Sequence, residues 1–237
     1  MKFGSLADMH IHTEYSHDCD TSLVSVKHAA RKHDMMVAIA DHNEIRGVLA
    51  ARAMRIPVIP AIEVTTKKLH DYLLYFETVE DLKTFFSKHV KPRKDPGKIW
   101  GSRTTLTDEE LVEVAGDYNA FISLAHPYCP IPKRSANIPK PVLRKVDAIE
   151  VMNFAMSPRA NQKAALLCDS NKKVYTAGSD SHHPSTLGAV TMRAWGETPQ
   201  EFLTEVRQGT PLVVGAPRKT KDVFDKVAQF VAYKATH

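Results

Sequence analysis

No run in this 237-residue sequence is long and apolar enough to cross a bilayer. Met1-Lys2-Phe3-Gly4 leads directly into an apolar segment and leaves no room for a signal peptide, so a cytoplasmic protein with no membrane partner is expected. Cysteine is scarce. Cys19, Cys129 and Cys168 are odd in number, scattered, and form no Cys-x-x-Cys pair, which argues against a disulfide framework or a cysteine–zinc module. There is no Gly-x-Ser-x-Gly elbow, no phosphate-cradling Walker loop and no clear Cys–His nucleophile pair. Internal repeats, low-complexity tracts and a domain boundary are also missing, so residues 1–237 read as a single domain.

What is present is ordinary in bulk and specific in detail. The chain is 43% hydrophobic and 25% charged, as a globular protein is. A net charge of +5 and a pI near 9.0 are compatible with anionic ligands, phosphates and nucleic acids included. The basic residues are dispersed apart from the breaker-rich stretch 91–98 and the pair Lys133-Arg134.

Hydrophobic periodicity predicts strands over residues 4–12, 35–40, 58–64, 71–76, 120–125, 148–152 and 174–178. Helices are expected between most of them. Ser22, the capping box opening at Thr107, Ser157-Pro158 and Thr198-Pro199 mark four helix starts. A short strand at 189–194, an apolar segment at 211–214 and a terminal helix over 222–234 complete the chain. About seven alternating βα units suggest a parallel barrel, whose site lies at the C-terminal ends of the strands.

Those ends collect metal-ligand chemistry. His10 and His12 close the first strand, and their i, i+2 spacing puts both imidazoles on one face. Asp41 and His42 follow the second strand, Glu63 ends the third, His70 starts the fourth, His126 follows the fifth, and Asp180 and His182 follow the seventh. Each residue alone has an ordinary explanation, such as a helix cap or a turn. Together they form the ligand set of zinc, manganese or iron, in a number that suits more than one ion.

The motifs resemble those of the PHP (polymerase and histidinol phosphatase) family of metal-dependent phosphoesterases. Asp8-Met9-His10-Ile11-His12-Thr13-Glu14-Tyr15-Ser16-His17-Asp18 matches its first motif, Ala40-Asp41-His42-Asn43 its second and Ala61-Ile62-Glu63-Val64-Thr65 its third. A histidine before an apolar strand (His70), His126-Pro127 and Gly178-Ser179-Asp180-Ser181-His182 follow in the family's order. Ala40 and Ala61 replace a usual Thr and Gly without removing a ligand.

The resemblance implies a distorted seven-stranded (β/α)7 TIM-like barrel holding three divalent metals, Zn, Mn or Fe. One ion would take His10, His12, Glu63 and Asp180, a second Glu63, His70 and His126, and the third Asp18, His42 and His182. His17 competes with Asp18 for the last set. Glu63, Asp180 and His182 would be the catalytic residues, while Asp8 and Asp41 would orient imidazoles or neighbouring backbone. A metal-bridging hydroxide would then attack phosphorus without a protein nucleophile. Lys133, Arg134 and Arg159 follow site strands and are candidates to grip the phosphate. The expected substrate is a small phosphomonoester such as a nucleotide or histidinol phosphate. The alternatives are an exonuclease on short oligonucleotides, with Trp100 and Tyr128 beside the basic loops as base platforms, and a non-catalytic RNA-binding barrel. Oligomeric state is left open.

Overall fold

The computed structural model describes residues 4–95, 103–130 and 138–217. Nine strands form one sheet: β1 (Ser5–Ile11), β2 (Met35–Ile39), β3 (Val58–Thr65), β4 (Asp71–Tyr75), β5 (Phe121–Leu124), β6 (Ala148–Asn153), β7 (Val174–Gly178), β8 (Val190–Ala194) and β9 (Leu212–Gly215). They are ordered β9-β8-β1-β2-β3-β4-β5-β6-β7. The sheet curls into a nearly closed barrel. Asp180 N donates to His10 O (2.7 Å) and His12 N donates to Ser181 O (3.0 Å), joining the end of β7 to β1.

Two expectations change here. The sheet has nine strands rather than seven, because β8 pairs antiparallel with the outer side of β1 and β9 with β8. It is also not wholly parallel. β1, β2 and β3 run together, as do β5, β6 and β7, but β4 is antiparallel to both β3 and β5. The reason is length: β3 and β4 are joined by residues 66–70, and a parallel crossover needs a dozen or more. The end of β4 that reaches the site is therefore its beginning.

Strand alternation divides the apolar residues into two sets. Met9, Ala38, Ile59, Ala61, Leu73, Tyr75, Phe121 and Ala148 pack together inside the barrel. Val37, Ile39, Ile62, Val64, Tyr72, Leu74, Ile122 and Ile149 pack against the surrounding helices. Those helices are α1 (Leu23–His33), α2 (Arg46–Ala53), α3 (Val79–Phe85), α4 (Asp108–Gly116), α5 (Lys140–Lys145), α6 (Pro158–Ser170) and α7 (Pro199–Gln208). Ser22, Thr107, Ser157 and Thr198 all cap as their sequence context predicts, and the Thr107–Glu110 box is reciprocal. The short helix α5 opens at two prolines: Pro139 and Pro141 stand at its start, where a missing N–H costs nothing. No helix among the described residues is long and apolar enough to cross a membrane. The expected terminal helix at 222–234 lies outside the described residues.

Candidate metal centre

Glu63 is the middle of the site. It is fully buried and sits on the same face of β3 as Ala61, pointing into the barrel mouth. Its Oε2 stands 3.0 Å from His42 Nδ1, 3.4 Å from His12 Nε2 and 3.6 Å from His10 Nε2. Its Oε1 is 3.1 Å from His126 Nε2. Asp180 Oδ1 faces His12 Nε2 at 3.3 Å and His10 Nε2 at 3.8 Å. A further group lies beside this one: Asp18 Oδ2 is 3.2 Å from His182 Nε2 and 3.4 Å from His42 Nε2. The ligand atoms of His12, Asp18, His42 and His182 all fall within 4.8 Å of one another, as do those of His10, His12 and Glu63.

Backbone geometry aims these side chains. The β1–β2 register shifts between Asp8 and Ile11, a bulge next to the site. Continuing the alternation of Ile122 and Leu124 would turn His126 outward, but its φ of 23° swings it back toward Glu63. Asp180 likewise takes a positive φ, 49°. Non-glycine residues held there store strain, and such strain gathers at functional sites. Asp8 accepts backbone N–H groups from Ser179 (2.8 Å), Gly188 (2.9 Å) and His10 (3.3 Å), tying β1 to the β7 loop. Asp41 accepts from Thr13 N (2.7 Å) and Thr13 Oγ1 (2.8 Å), fixing the loop after His12.

Burial and mutual charge shape the titration. Burial pushes Asp8 up to about 6 and Asp41 up to about 7. His12 falls to about 3, through burial and then the neighbouring His182 and His42. For His42, burial opposes protonation but Glu63 and Asp18 outweigh it, lifting it to about 10. Glu63 and Asp18 are held well below the carboxylate range despite burial, Glu63 by His42 and His10, Asp18 by His182 and His42. Positive charge is what this cluster of carboxylates demands, and without a metal protons on imidazoles supply it. Cation binding would displace those protons.

A divalent metal fits on the structure's own terms. Glu63 Oε2 is buried without a well-formed hydrogen bond although three imidazoles crowd it. His10 Nε2 and His12 Nε2 face each other at 3.1 Å, an arrangement of lone pairs that a cation between them satisfies. Glu150, which the motif reading passed over, sets one tautomer: its Oε1 accepts from His10 Nδ1 (2.9 Å), leaving Nε2 free for a metal. Its Oε2 accepts from His126 N (2.9 Å) and Asn153 Nδ2 (3.0 Å). A carboxylate inside the apolar run 148–152 was the signal available in the sequence. Glu150→Gln is expected to weaken metal binding about 10–100-fold with the fold intact, measured by metal titration calorimetry alongside circular dichroism.

The structure thus brings together His10, His12, Asp18, His42, Glu63, His126, Asp180 and His182. His17 is exposed, its ring 5.3 Å from that of His42, while Asp18 is the one of the two whose carboxylate meets both His42 and His182. His70 is not in the cluster. It points to the outer face, with Nδ1 3.0 Å from Asp108 Oδ2, and Asp71 takes the inward position. Arg159 is exposed in the first turn of α6. Lys133, Arg134 and Trp100 lie outside the described residues.

A family model described as PHP-associated matches residues 158–211. No curated protein sequence matches the chain. Solved structures do. Endonuclease Q, in complex with a 27-mer duplex substrate carrying an abasic lesion at the active site, is 19% identical over 90% of this chain and 60% of its own, with a TM-score of 0.69. PsfC from Pseudomonas syringae is 16% identical over 98% of each chain, with a TM-score of 0.67. A two-domain protein from Bacteroides vulgatus containing a predicted PHP-like metal-dependent phosphoesterase is 13% identical, with a TM-score of 0.66 over 91% of this chain. The chain spans 66% of that protein's length and 60% of Endonuclease Q's, so it corresponds to a part of each. The resemblance to the PHP family read from the motifs is borne out in the fold and in the matched segment.

Proposed function

We propose that this chain is a metal-dependent phosphoester hydrolase acting on a small phosphomonoester such as a nucleotide or histidinol phosphate. The supporting observation is Glu63, a buried carboxylate with imidazoles close to both oxygens and two further carboxylates, Asp180 and Asp18, facing the same imidazoles. His10, His12, Glu63 and Asp180 would hold one cation, Glu63 and His126 part of a second, and Asp18, His42 and His182 a third. Bound divalent ions supply an acidified water and the positive charge that offsets a phosphate's own. The protein's part is placement. Glu150 orients His10, Asp8 holds β1 against the β7 loop, and the buried walls keep the ligand oxygens out of bulk water. Nucleophilic attack by cysteine is disfavoured at Cys19, whose thiol burial pushes up to about 12.

The test is metal analysis of the purified protein together with hydrolysis of an aryl phosphate and of AMP, before and after chelation and with Mn²⁺ or Zn²⁺ added back. Bound divalent metal, about three equivalents at full loading, and phosphate release that vanishes on chelation and returns with metal are expected. A protein with neither metal nor turnover would overturn the reading. A nuclease reading is favoured by one local feature: Lys163 Nζ lies 5.5 Å over the ring of Tyr128, two residues beyond His126, pairing a cation with an aromatic face beside the site. Faster metal-dependent cleavage of oligonucleotides than of AMP would select it.

A further inference from the structure

We infer that Asp71, not His70, completes the ligand set of the cation shared by Glu63 and His126, giving that position two carboxylates and one imidazole. The inference rests on the metal-dependent reading above and specifies one of its sites. Strand direction decides which residue of β4 reaches the site. Because β4 runs antiparallel to β3 and β5, its first residue reaches the site, paired across from Thr65 at the end of β3. Leu73 and Tyr75 face the barrel interior and Tyr72 and Leu74 face the helices, so the period of two places Asp71 inside and His70 outside.

The contacts agree. Asp71 Oδ2 lies 3.9 Å from His126 Nε2, and the ligand atoms of Asp71, Glu63 and His42 fall within 4.8 Å of one another. Thr65 Oγ1 donates to Asp71 Oδ1 at 2.7 Å, which holds the carboxylate with its other oxygen toward His126. Such an outer hydrogen bond is what orients a ligating carboxylate. His70 is engaged elsewhere. Its Nδ1 faces Asp108 Oδ2 at 3.0 Å, and Asp108 Oδ1 accepts from Thr66 Oγ1 at 2.8 Å, so the imidazole ties the β3–β4 turn to the start of α4. An added carboxylate in place of an imidazole hardens the position and raises its preference for Mn²⁺ or Fe²⁺ over Zn²⁺.

The experiment compares metal stoichiometry of the wild type, Asp71→Asn, Asp71→His and His70→Gln after loading with Mn²⁺ or Zn²⁺ and gel filtration, with thermal melts to establish folding. Asp71→Asn keeps the size of the side chain and an acceptor for Thr65. It is expected to lose about one equivalent, while His70→Gln keeps the full complement and loses only melting temperature. Asp71→His should recover the equivalent with Zn²⁺ better than with Mn²⁺. Loss of an equivalent from His70→Gln, or full occupancy in Asp71→Asn, would overturn the assignment. A wild type that binds no metal at all would instead overturn the proposed function, so the two failures are distinguishable.

Discussion

Glu63→Gln should lower phosphoester turnover by about 10³-fold or more and strip metal from more than one position. The substitution is nearly isosteric, so the effect is one of charge and lone pairs. Oε1 serves His126 and Oε2 serves His42, His12 and His10. An amide leaves one acceptor and turns the other end into a donor aimed at imidazole nitrogens or at a cation. The negative charge that Glu63 contributes between them is also lost. His42→Ala should be milder, because His42 stands between Glu63 and Asp18 at the side of the cluster; the third cation should weaken while the first two stay partly occupied. Metal analysis and steady-state kinetics on both variants check this. A Glu63→Gln protein with full metal content and full rate would remove Glu63 from the centre of the site.

The parts of the site that were legible in the sequence are those governed by short-range rules. His10 lies near the end of β1 and His12 just past it, and Asp180 and His182 closely follow β7, so their short spacings put them at strand ends. The helix caps were legible for the same reason: Thr107 and Glu110 contact each other within one turn. What the sequence hid depends on partners far along the chain. Whether His70 or Asp71 faces the site depends on the direction of β4, which is a property of its pairing with β3 and β5 rather than of its residues. Glu150 looks like a flaw in an apolar strand until β6 is set beside β5 and its carboxylate meets His10, 140 positions away in sequence. β8 was readable as a strand and β9 only as an apolar segment, and their antiparallel addition outside β1, which raises the strand count to nine, is fixed only in the folded sheet.

The closure of that sheet makes the strongest prediction about stability. Gly178 ends β7, and a Cβ built there would stand 2.6 Å from both His10 N and His10 Cβ. The obstacle is space rather than torsion, since Gly178 is not among the positive-φ glycines. The atoms it would strike belong largely to β1 backbone, which cannot rotate away as a flexible side chain does. Gly178→Ala must therefore push β7 from β1, straining the Asp180 N to His10 O bond of 2.7 Å and the His12 N to Ser181 O bond of 3.0 Å. Overpacking of this kind costs about 3 kcal/mol, or a melting temperature lower by roughly 6–12 °C for a chain of this size. Metal affinity should fall with it, because β1 carries His10 and leads directly into His12, and the loop after β7 carries Asp180 and His182. Gly116 is the control: nothing lies within 4 Å of a Cβ added at this last residue of α4. Gly116→Ala should hold or raise the melting temperature, with metal content unchanged. If Gly178→Ala melted and bound metal like the wild type, the β1–β7 junction would have to be a compliant seam, and the ligands it carries would be positioned by the Asp8 and Asp41 anchors instead.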